Sequence, residues 1–263
     1  MSTECGHLPL DEYLLAAVEL ASGAGRIMRQ YFRSASLTEK SKINDADIVT
    51  PADKACDAYI TGEICNRFPL HSILAEESGA TDSGSDFLWV IDPIDGTTNF
   101  AAGLPICCTS IALQYKGETM VGVVYDPFTD ELFTAVKGQG AMLNGNPIHV
   151  AANDRLSHAV VSTGFPIDKD TNPDNNLDMT ARILPRVRGF RRLGSAAMDI
   201  CYVAAGVLDA YWEMNLHAWD VAAALLILEE AGGRHEAYRS DRNISIIASS
   251  QAMFPMISAL IND

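Results

Sequence analysis

The residues best suited to chemistry are two acids, Asp92 and Asp95, which stand three positions apart and are followed by Gly96 and Thr97. Carboxylate oxygens are the ligands that Mg²⁺ and similar hard cations prefer. Pro93 predicts a bend that aims both acids at one point, while the backbone amides around a glycine, beside a hydroxyl group, suit a phosphate. The local pattern also fits a plain turn whose acids bond to nearby amides, and both interpretations stay open at this point.

Three further acids are predicted at the ends of structural elements. Asp53 stands three residues after Thr50 at the start of a helix, where it also fits a capping role. Glu76 follows a short strand, and because neighbouring side chains on a strand point to opposite sides, at most one of Glu76 and Glu77 is expected to face a shared site. Asp220 lies in the first turn of an otherwise apolar helix, where an acid also suits the helix N-terminus.

The elements that position these acids follow from the spacing of apolar residues. Three- and four-residue spacing predicts helices at 10–33, 50–67, 175–184, 195–205, 219–231 and 250–261. Alternating or continuous apolar runs predict strands at 72–75, 87–91, 109–115, 120–125, 131–136, 159–162, 208–214 and 244–248. Short turn sequences join the runs between 109 and 136, which indicates a mainly antiparallel sheet. The order of elements predicts layered sheets and helices, with one subdomain at 1–150 and a second at 151–263.

Polar segments at 34–47 and 79–86 are predicted to be surface loops, and the first is expected to be mobile. If that first loop covers a site, its Lys40 and Lys42 are expected to meet an anion.

The composition limits the class of protein. With 263 residues, of which 48% are apolar, the chain is expected to fold into one large globular domain or two closely joined subdomains. Its 19 basic and 34 acidic residues give a net charge of −15, which disfavours direct binding of nucleic acids or anionic membranes. No apolar run reaches membrane-spanning length, and no basic leader precedes the first apolar residues, so we expect a cytoplasmic protein. The six cysteines lack a C-x-x-C pair and are predicted to be reduced core residues.

Several stretches together resemble the signature motifs of the inositol monophosphatase family. They are VTPAD at 49–53, EE at 76–77, WVIDPIDGTTNF at 89–100, WDVAA at 219–223 and EAGG at 230–233. This resemblance covers nearly the whole chain. It implies an α+β fold, a layered αβαβα sandwich, usually assembled as a homodimer. It also implies hydrolysis of small phosphate monoesters with Mg²⁺, often inhibited by Li⁺.

The resemblance further implies which residues hold the metal ions. Glu76, Asp92 and the backbone carbonyl of Ile94 match the ligands of one Mg²⁺. Asp92, Asp95 and Asp220 match those of a second, so Asp92 is the shared ligand. Through waters, Glu76 is also expected to reach a weaker third ion near the lysine-bearing loop.

Catalytic and substrate positions are implied in the same way. Asp53 and Thr97 match the pair that orients and deprotonates the attacking water. The positions that match substrate contacts are Gly96, Thr97, Asp95, Ala196 and Glu213. The amides of Gly96 and Thr97 correspond to the phosphate cradle, and Ala196 and Glu213 to contacts with polyol hydroxyls. Glu213 equally fits an exposed acid at a strand end, and His217 is expected to pack or support rather than to ligate a metal.

Inositol 1-phosphate is the expected substrate, because the DGTTNF form of the motif resembles inositol monophosphatases more than nucleotide phosphatases of the superfamily. Related members act on fructose 1,6-bisphosphate, histidinol phosphate or NADP(H), and these alternatives stay open. Some bacterial relatives also take part in transcription complexes, so a protein-binding role is a second hypothesis. The intact set of acids favours an enzyme over a catalytically inactive adaptor.

Overall fold

The computed structural model describes residues 8–35, 37, 40–42 and 48–262. The helices in this part of the chain are α1 (Leu10–Tyr31), α2 (Pro51–Arg67), α3 (Thr97–Ala102), α4 (Leu177–Ile183), α5 (Ala196–Ala204), α6 (Ala218–Glu230) and α7 (Phe254–Asn262). The strands are β1 (Lys40–Ser41), β2 (Ile48–Val49), β3 (Ser72–Ala75), β4 (Gly79–Thr81), β5 (Phe87–Asp95), β6 (Cys108–Tyr115), β7 (Glu118–Asp126), β8 (Glu131–Val136), β9 (Ala141–Leu143), β10 (Asn146–Pro147), β11 (Val160–Thr163), β12 (Gly189–Arg191), β13 (Ala210–Leu216), β14 (Gly233–Ala237) and β15 (Ile244–Ser250).

The larger of the two main sheets has eight strands in the order β10-β9-β8-β7-β6-β5-β3-β4. Its neighbours pair antiparallel except for β3 and β5, which run parallel. The parallel pair brings the ends of β3 and β5 to one edge, so Glu76 and the acids of β5 lie near each other. The prediction of a mainly antiparallel sheet is therefore confirmed.

The smaller sheet has five strands in the order β12-β11-β13-β15-β14. Strand β11 is parallel to both β12 and β13, whereas β15 is antiparallel to β13 and β14. A shift in register between Glu213 and Leu216 interrupts the β13–β15 pairing. Such a bulge bends a strand locally and turns its side chains.

Helices and sheets alternate in five layers. Helices α1 and α2 cover the outer face of the large sheet, and their apolar faces form a core that includes Leu20, Ile60 and Trp89. Helices α5 and α6 fill the space between the sheets, and α4 and α7 cover the outer face of the small sheet. The expected α+β architecture, a layered αβαβα sandwich, is confirmed. None of the helices in the described ranges is long and apolar enough to cross a membrane.

Strand β5 is longer than the sequence predicted. The apolar run predicts an end at residue 91, but β5 continues to Asp95 with a register shift between Asp92 and Asp95. The irregularity lets the buried strand continue while it redirects its last side chains, as bulges beside active sites do. The two acids therefore belong to the end of a strand rather than to a separate turn.

The short elements account for most of the other differences. Strands β4, β9, β10, β12 and β14 and helix α3 contain two to six residues each, which is too few for a periodic pattern to show. The final helix begins at Phe254 rather than at 250, because residue 250 still belongs to β15. Lys40 and Ser41 pair with β2 instead of lying in a loop, while 36, 38–39 and 43–47 of the predicted loop lie outside the described residues.

The cysteines within the described ranges are free. Cys56, Cys107, Cys108 and Cys201 are buried, as expected for core residues, but Cys65 is exposed on α2. Cys5 lies outside the described residues.

Candidate active site

A cavity of about 530 Å³ opens where β5, α3, α5, β13 and α6 meet. Its wall contains seven of the residues that the sequence singled out: Glu76, Asp95, Gly96, Thr97, Ala196, Glu213 and Asp220. Asp92 is only 2% exposed and lies close enough to Glu76, Asp95 and Asp220 for their charges to act on it. The fold therefore brings acids from four separate segments of the chain to one place.

Thr97 and Asp53 form a hydrogen-bonded pair at this cavity. The Thr97 hydroxyl lies 2.8 Å from Asp53 Oδ1 and 3.0 Å from the carbonyl oxygen of Ile94. The other carboxylate oxygen, Asp53 Oδ2, accepts hydrogen bonds from the amide and hydroxyl of Thr50 at 2.8 and 2.6 Å. Burial raises the pKa of Asp53, although the hydrogen bonds from Thr50 and Thr97 oppose that shift. The capping role predicted for Asp53 is confirmed, and the same carboxylate also holds Thr97.

Asp92 is a buried acid with one carboxyl oxygen that lacks a hydrogen-bond donor. Its Oδ1 atom has no hydrogen-bond partner in the described part of the chain. Burial, followed by the charges of Glu76, Asp95 and Asp220, raises the pKa of Asp92 well above its usual range. An unpaired buried carboxylate is costly unless a cation or a proton offsets its charge.

Asp95 is held by the N-terminal end of α5. Its Oδ2 atom accepts hydrogen bonds from the Ser195 hydroxyl at 2.6 Å and from the Ala197 amide at 2.7 Å, and Ala196 donates to Oδ1 at 3.3 Å. Burial and the nearby Asp220 raise the pKa of Asp95 to about 7, against the lowering effect of these donors. The amide of Ala196, which was expected to contact substrate, is thus directed at Asp95, although the residue also lines the cavity.

Glu76 and Glu77 both contact Lys42. The Lys42 ammonium donates to Glu76 at 2.9 Å and also contacts Glu77. Of these two glutamates, Glu76 lines the cavity and Glu77 does not, which agrees with the expectation that at most one of them faces a shared site. Residues 76–78 form a turn between β3 and β4, which lets both side chains reach Lys42. Burial raises the pKa of Glu76 despite the opposing charge of Lys42. The anion that Lys42 was expected to meet is therefore the pair of carboxylates of Glu76 and Glu77.

Asp220 lies in the first turn of α6, as predicted, and its Oδ2 atom accepts a hydrogen bond from the backbone amide of His217 at 2.7 Å. The His217 ring stacks on Trp219, with 4.8 Å between ring centroids. The expectation of a packing role for His217 agrees with this stacking, since its ring lies against an aromatic neighbour beside the acid.

Glu213 lies inside β13, not at the end of an exposed strand. The Tyr211 hydroxyl donates a hydrogen bond to its carboxylate, and that carboxylate lies directly over Gly164, where a methyl group would overlap it. Burial raises the pKa of Glu213 to about 7, with Tyr211 lowering it and Asp220 raising it. Glu213 therefore faces the cavity as a fixed, partly desolvated acid.

The donor set fits a hard divalent cation. Within the described ranges, no three His, Cys, Asp or Glu side chains converge closely enough to hold an ion in their present positions. One buried oxygen of Asp92 nevertheless has no hydrogen-bond partner in the described part of the chain. The neighbouring acids Glu76, Asp95 and Asp220 add negative charge around it. Oxygen ligands and uncompensated negative charge are what Mg²⁺ requires, so the residues fit such an ion.

Three charged residues of the wall were not predicted from the sequence: Lys169, Arg192 and Asp199. Arg192 and Asp199 flank the segment that holds Asp95, and their closeness to Ser195 and Ala196 in sequence is the signal that could have indicated them. Lys169 lies on a connection between β11 and α4, where the sequence carries no comparable signal.

The chain is similar to known proteins over most of its length. A sequence model of the inositol monophosphatase family matches residues 9–261. The Nus factor SuhB of Pasteurella multocida is 43% identical over 225 residues, which are 85% of this chain and 84% of that protein. An inositol monophosphatase structure from Anabaena (Nostoc) sp. PCC 7120 is 39% identical, has a TM-score of 0.86 and covers 97% of this chain and 96% of its own. The extragenic suppressor protein suhB from Bartonella henselae is 35% identical, has a TM-score of 0.88 and covers 96% and 99% of the two chains.

The chain belongs to the inositol monophosphatase family. This is a family of phosphatases that bind phosphate esters and are generally dependent on Mg²⁺.

Proposed function

We propose that this protein hydrolyses a small phosphate monoester with the help of Mg²⁺, and that inositol 1-phosphate is its substrate. The observation that carries the proposal is the buried oxygen of Asp92 without a partner, surrounded by acids and close to the Thr97–Asp53 pair. Glu76, Asp92, Asp95, Asp220 and the backbone carbonyl of Ile94 would hold two or three ions per subunit, and Asp92 would be the shared ligand. When bound, Mg²⁺ would lower the pKa of a water molecule and offset negative charge on the phosphoryl oxygens.

The Thr97–Asp53 pair supplies the base. Because the Thr97 hydroxyl can donate to Asp53 Oδ1, its oxygen can accept a proton from an attacking water while its own proton moves to Asp53. Burial raises the pKa of Asp53, which makes the carboxylate a better proton acceptor near neutral pH. The two hydrogen bonds from Thr50 keep this carboxylate in position.

The phosphate is expected to bind beside Gly96 and Thr97, which line the cavity. Gly96 has φ of +92°, a left-handed conformation that suits glycine, and α3 begins immediately after it. The first amides of a helix have no carbonyl partner within the helix, so they are available to an anion. Ala196 and Glu213 also line the cavity, and the fixed Glu213 carboxylate can accept hydrogen bonds from polyol hydroxyls.

A phosphate-release assay on the purified protein tests the proposal. Inositol 1-phosphate, fructose 1,6-bisphosphate, histidinol phosphate and NADP(H) should be compared with and without Mg²⁺, and inhibition by Li⁺ should be measured in parallel. We expect Mg²⁺-dependent turnover with the highest kcat/KM for inositol 1-phosphate. A different preferred ester would contradict the substrate, and no turnover of any ester with Mg²⁺ would contradict the enzyme.

A second candidate function rests on the 43% identity to a protein named as a Nus factor. We propose that this chain also binds a protein partner and that it is a cytoplasmic homodimer; the dimer is what the family resemblance implies. Light scattering on the purified protein tests the dimer. Asp92→Asn should abolish phosphatase activity without weakening protein binding, because residue 92 is buried beneath the cavity; joint loss of both functions would contradict separate roles.

A further inference from the structure

One segment of the cavity wall is neither helix nor strand. Residues 164–176 connect β11 to α4, and Phe165, Ile167 and Lys169 of this segment line the main cavity. Phe165 and Ile167 also line a neighbouring cavity of about 400 Å³, which reaches Asp220 as well. The position of this segment therefore sets the shape of both spaces.

The segment is bonded from outside by Arg242, which lies in the turn between β14 and β15. Arg242 Nη2 donates hydrogen bonds to both carboxylate oxygens of Asp168, at 2.7 and 2.8 Å, and Nη1 donates to the backbone carbonyl of Asp174 at 2.6 Å. Because β13 lies between β11 and β15 in the small sheet, the guanidinium reaches across one strand, where the sulfur of Met214 is 3.7 Å from Nη1. One side chain thus fixes two separate points of the segment.

Hydrogen bonds within the segment connect these points to the rest of it. The Asn172 side chain donates to Asp168 Oδ2 at 3.0 Å, and the Asn172 amide donates to the Asp168 carbonyl at 2.9 Å. The hydrogen bonds from Asn172 and Arg242 lower the pKa of Asp168, so its carboxylate is charged at neutral pH. At the far end, the Asn176 side chain donates to the carbonyl of Gly164 at 2.6 Å. The segment is therefore a closed loop whose two ends meet.

Arg242 takes no direct part in the site, since it lines neither cavity. Its side chain is only 12% exposed, and charge-assisted hydrogen bonds of this kind are about twice as strong as neutral ones. Arg239 also pairs with the Asp174 carboxylate, at 2.6 Å. Asp168, however, stands between two residues of the cavity wall in the sequence, and Arg242 is the cation bonded to it. Loss of Arg242 would therefore release the part of the segment nearest the cavity.

We propose that Arg242 is a positioning residue: through Asp168 and Asp174 it holds residues 165–169 against the cavity and limits the space open to the substrate. The effect on substrate rests on the proposed function, whereas the hold on the segment does not. Arg242 then supports substrate binding through the shape of the wall and takes no part in breaking the ester.

The kinetic test compares Arg242→Gln, Arg242→Lys and Asp168→Asn with the wild type. A loose wall must be ordered when substrate binds, so in Arg242→Gln and Asp168→Asn we expect KM for inositol 1-phosphate to rise roughly tenfold, with kcat within about twofold. Lysine keeps the charge but lacks the fork that bonds to two points at once, so Arg242→Lys should give an intermediate KM. KM for phenyl phosphate, which carries no polyol hydroxyls, should rise by a similar factor, because the wall acts through shape.

The double variant with Arg242→Gln and Asp168→Asn separates a shared role from general damage. If the two residues act as a pair, its KM should equal that of the single variants, whereas increases that multiply would overturn the proposal. A fall in kcat at unchanged KM in the single variants would overturn it as well. Arg67→Gln is the matched control, because Arg67 joins α2 to α1 through Glu63 and Glu19 and does not line the cavity. It should leave KM for both substrates unchanged.

Hydrogen exchange followed by mass spectrometry separates the hold on the segment from the proposed enzyme activity, since it needs no turnover. The amides of Lys169, Thr171 and Asn172 are hydrogen-bonded within the segment, so they exchange when it opens. We expect them to exchange about tenfold faster or more in Arg242→Gln than in the wild type or in Arg67→Gln. Equal exchange would overturn the proposal whatever the activity. Faster exchange in a protein that hydrolyses no ester would contradict the proposed function and leave the positioning role of Arg242 standing.

Discussion

Asp53, Asp95 and Asp220 each accept a hydrogen bond from backbone at the start of a helix, yet all three also belong to the site. Asp53 bonds to Thr50 before α2, Asp95 to Ala197 in α5, and Asp220 to the amide of His217 before α6. A carboxylate has two oxygens with two lone pairs each, so a capping role leaves capacity for a second partner. At the scale of single residues, structural and functional roles are combined in one group.

Asp92→Asn tests the acid that lacks such a donor. The change removes a negative charge next to Glu76, Asp95 and Asp220 while keeping the shape of the side chain. We expect loss of phosphatase activity, together with loss of the rise in melting temperature that Mg²⁺ gives the wild type. The metal-free variant should be at least as stable as the wild type, because like charges no longer repel. Near-normal activity at saturating Mg²⁺ would remove Asp92 from the shared position.

Asp53→Asn and Thr97→Ala test the proposed base. Each should lower kcat by roughly 10²–10⁴, the usual contribution of a positioned general base, with little change in KM. If Asp53 serves only as a cap, its variant should keep its rate and lose about 1 kcal/mol in the free energy of unfolding.

Asp57→Asn provides the control on the same helix. Asp57 is buried on α2 and accepts a hydrogen bond from the Ser78 hydroxyl at 3.3 Å, but it does not line the cavity. This variant should lose stability and retain its turnover rate, as measured by urea denaturation and phosphate release.

At the scale of elements, the site depends on close approach between segments that are distant in sequence. Strand β5 presents Asp95 to the N-terminus of α5, about one hundred positions later in the chain. Strand β13 places Glu213 directly over Gly164, which follows β11. Because β11 and β13 are neighbours in the small sheet, a side chain at residue 164 and the Glu213 carboxylate would occupy the same space.

Gly164→Ala tests that contact. The added methyl group overlaps the Glu213 carboxylate, so the acid must move away from its present position. We expect kcat/KM for inositol 1-phosphate to fall about tenfold to a hundredfold and that for phenyl phosphate to fall much less.

Gly62→Ala on α2 is the control, because no atom lies within 4 Å of the added methyl. It should keep full activity and gain about 0.5–1 kcal/mol of stability. Equal losses on both substrates in Gly164→Ala would indicate damage to the metal site or to the fold instead.

At the scale of the whole molecule, the two sheets share one layer of helices. The core between them combines Val90 and Phe133 of the large sheet with Ile200 of α5, Leu226 of α6 and Ile246 of the small sheet. The proposed subdomain boundary near residue 150 therefore lies between the two sheets in the chain. The facing surfaces of both sheets are covered by helices α5 and α6, and both helices come after the boundary.

A fragment of residues 1–150 tests how far the first half is independent. It contains the eight-stranded sheet with α1 and α2 but lacks α5 and α6, so one apolar face of the sheet would be exposed to water. We expect the isolated fragment to aggregate or to lack dispersed amide signals in an NMR spectrum, while the full chain unfolds in a single transition in urea. A folded, monomeric fragment would show that the first subdomain is stable by itself.

The sequence alone determined the longer elements and the identity of the acids. Helices α1, α2 and α6 and strands β6 to β8 are long enough for apolar spacing to define them, and capping residues such as Thr50 act within a few positions of the chain. The family motifs then indicated which acids belong together. The tertiary structure decided the contacts between distant segments: the hydrogen bond from the Ala197 amide of α5 to Asp95, the hydrogen bond from Thr97 to Asp53 and the position of the Glu213 carboxylate over Gly164. Such contacts depend on strand order and layer packing, which local periodicity does not encode.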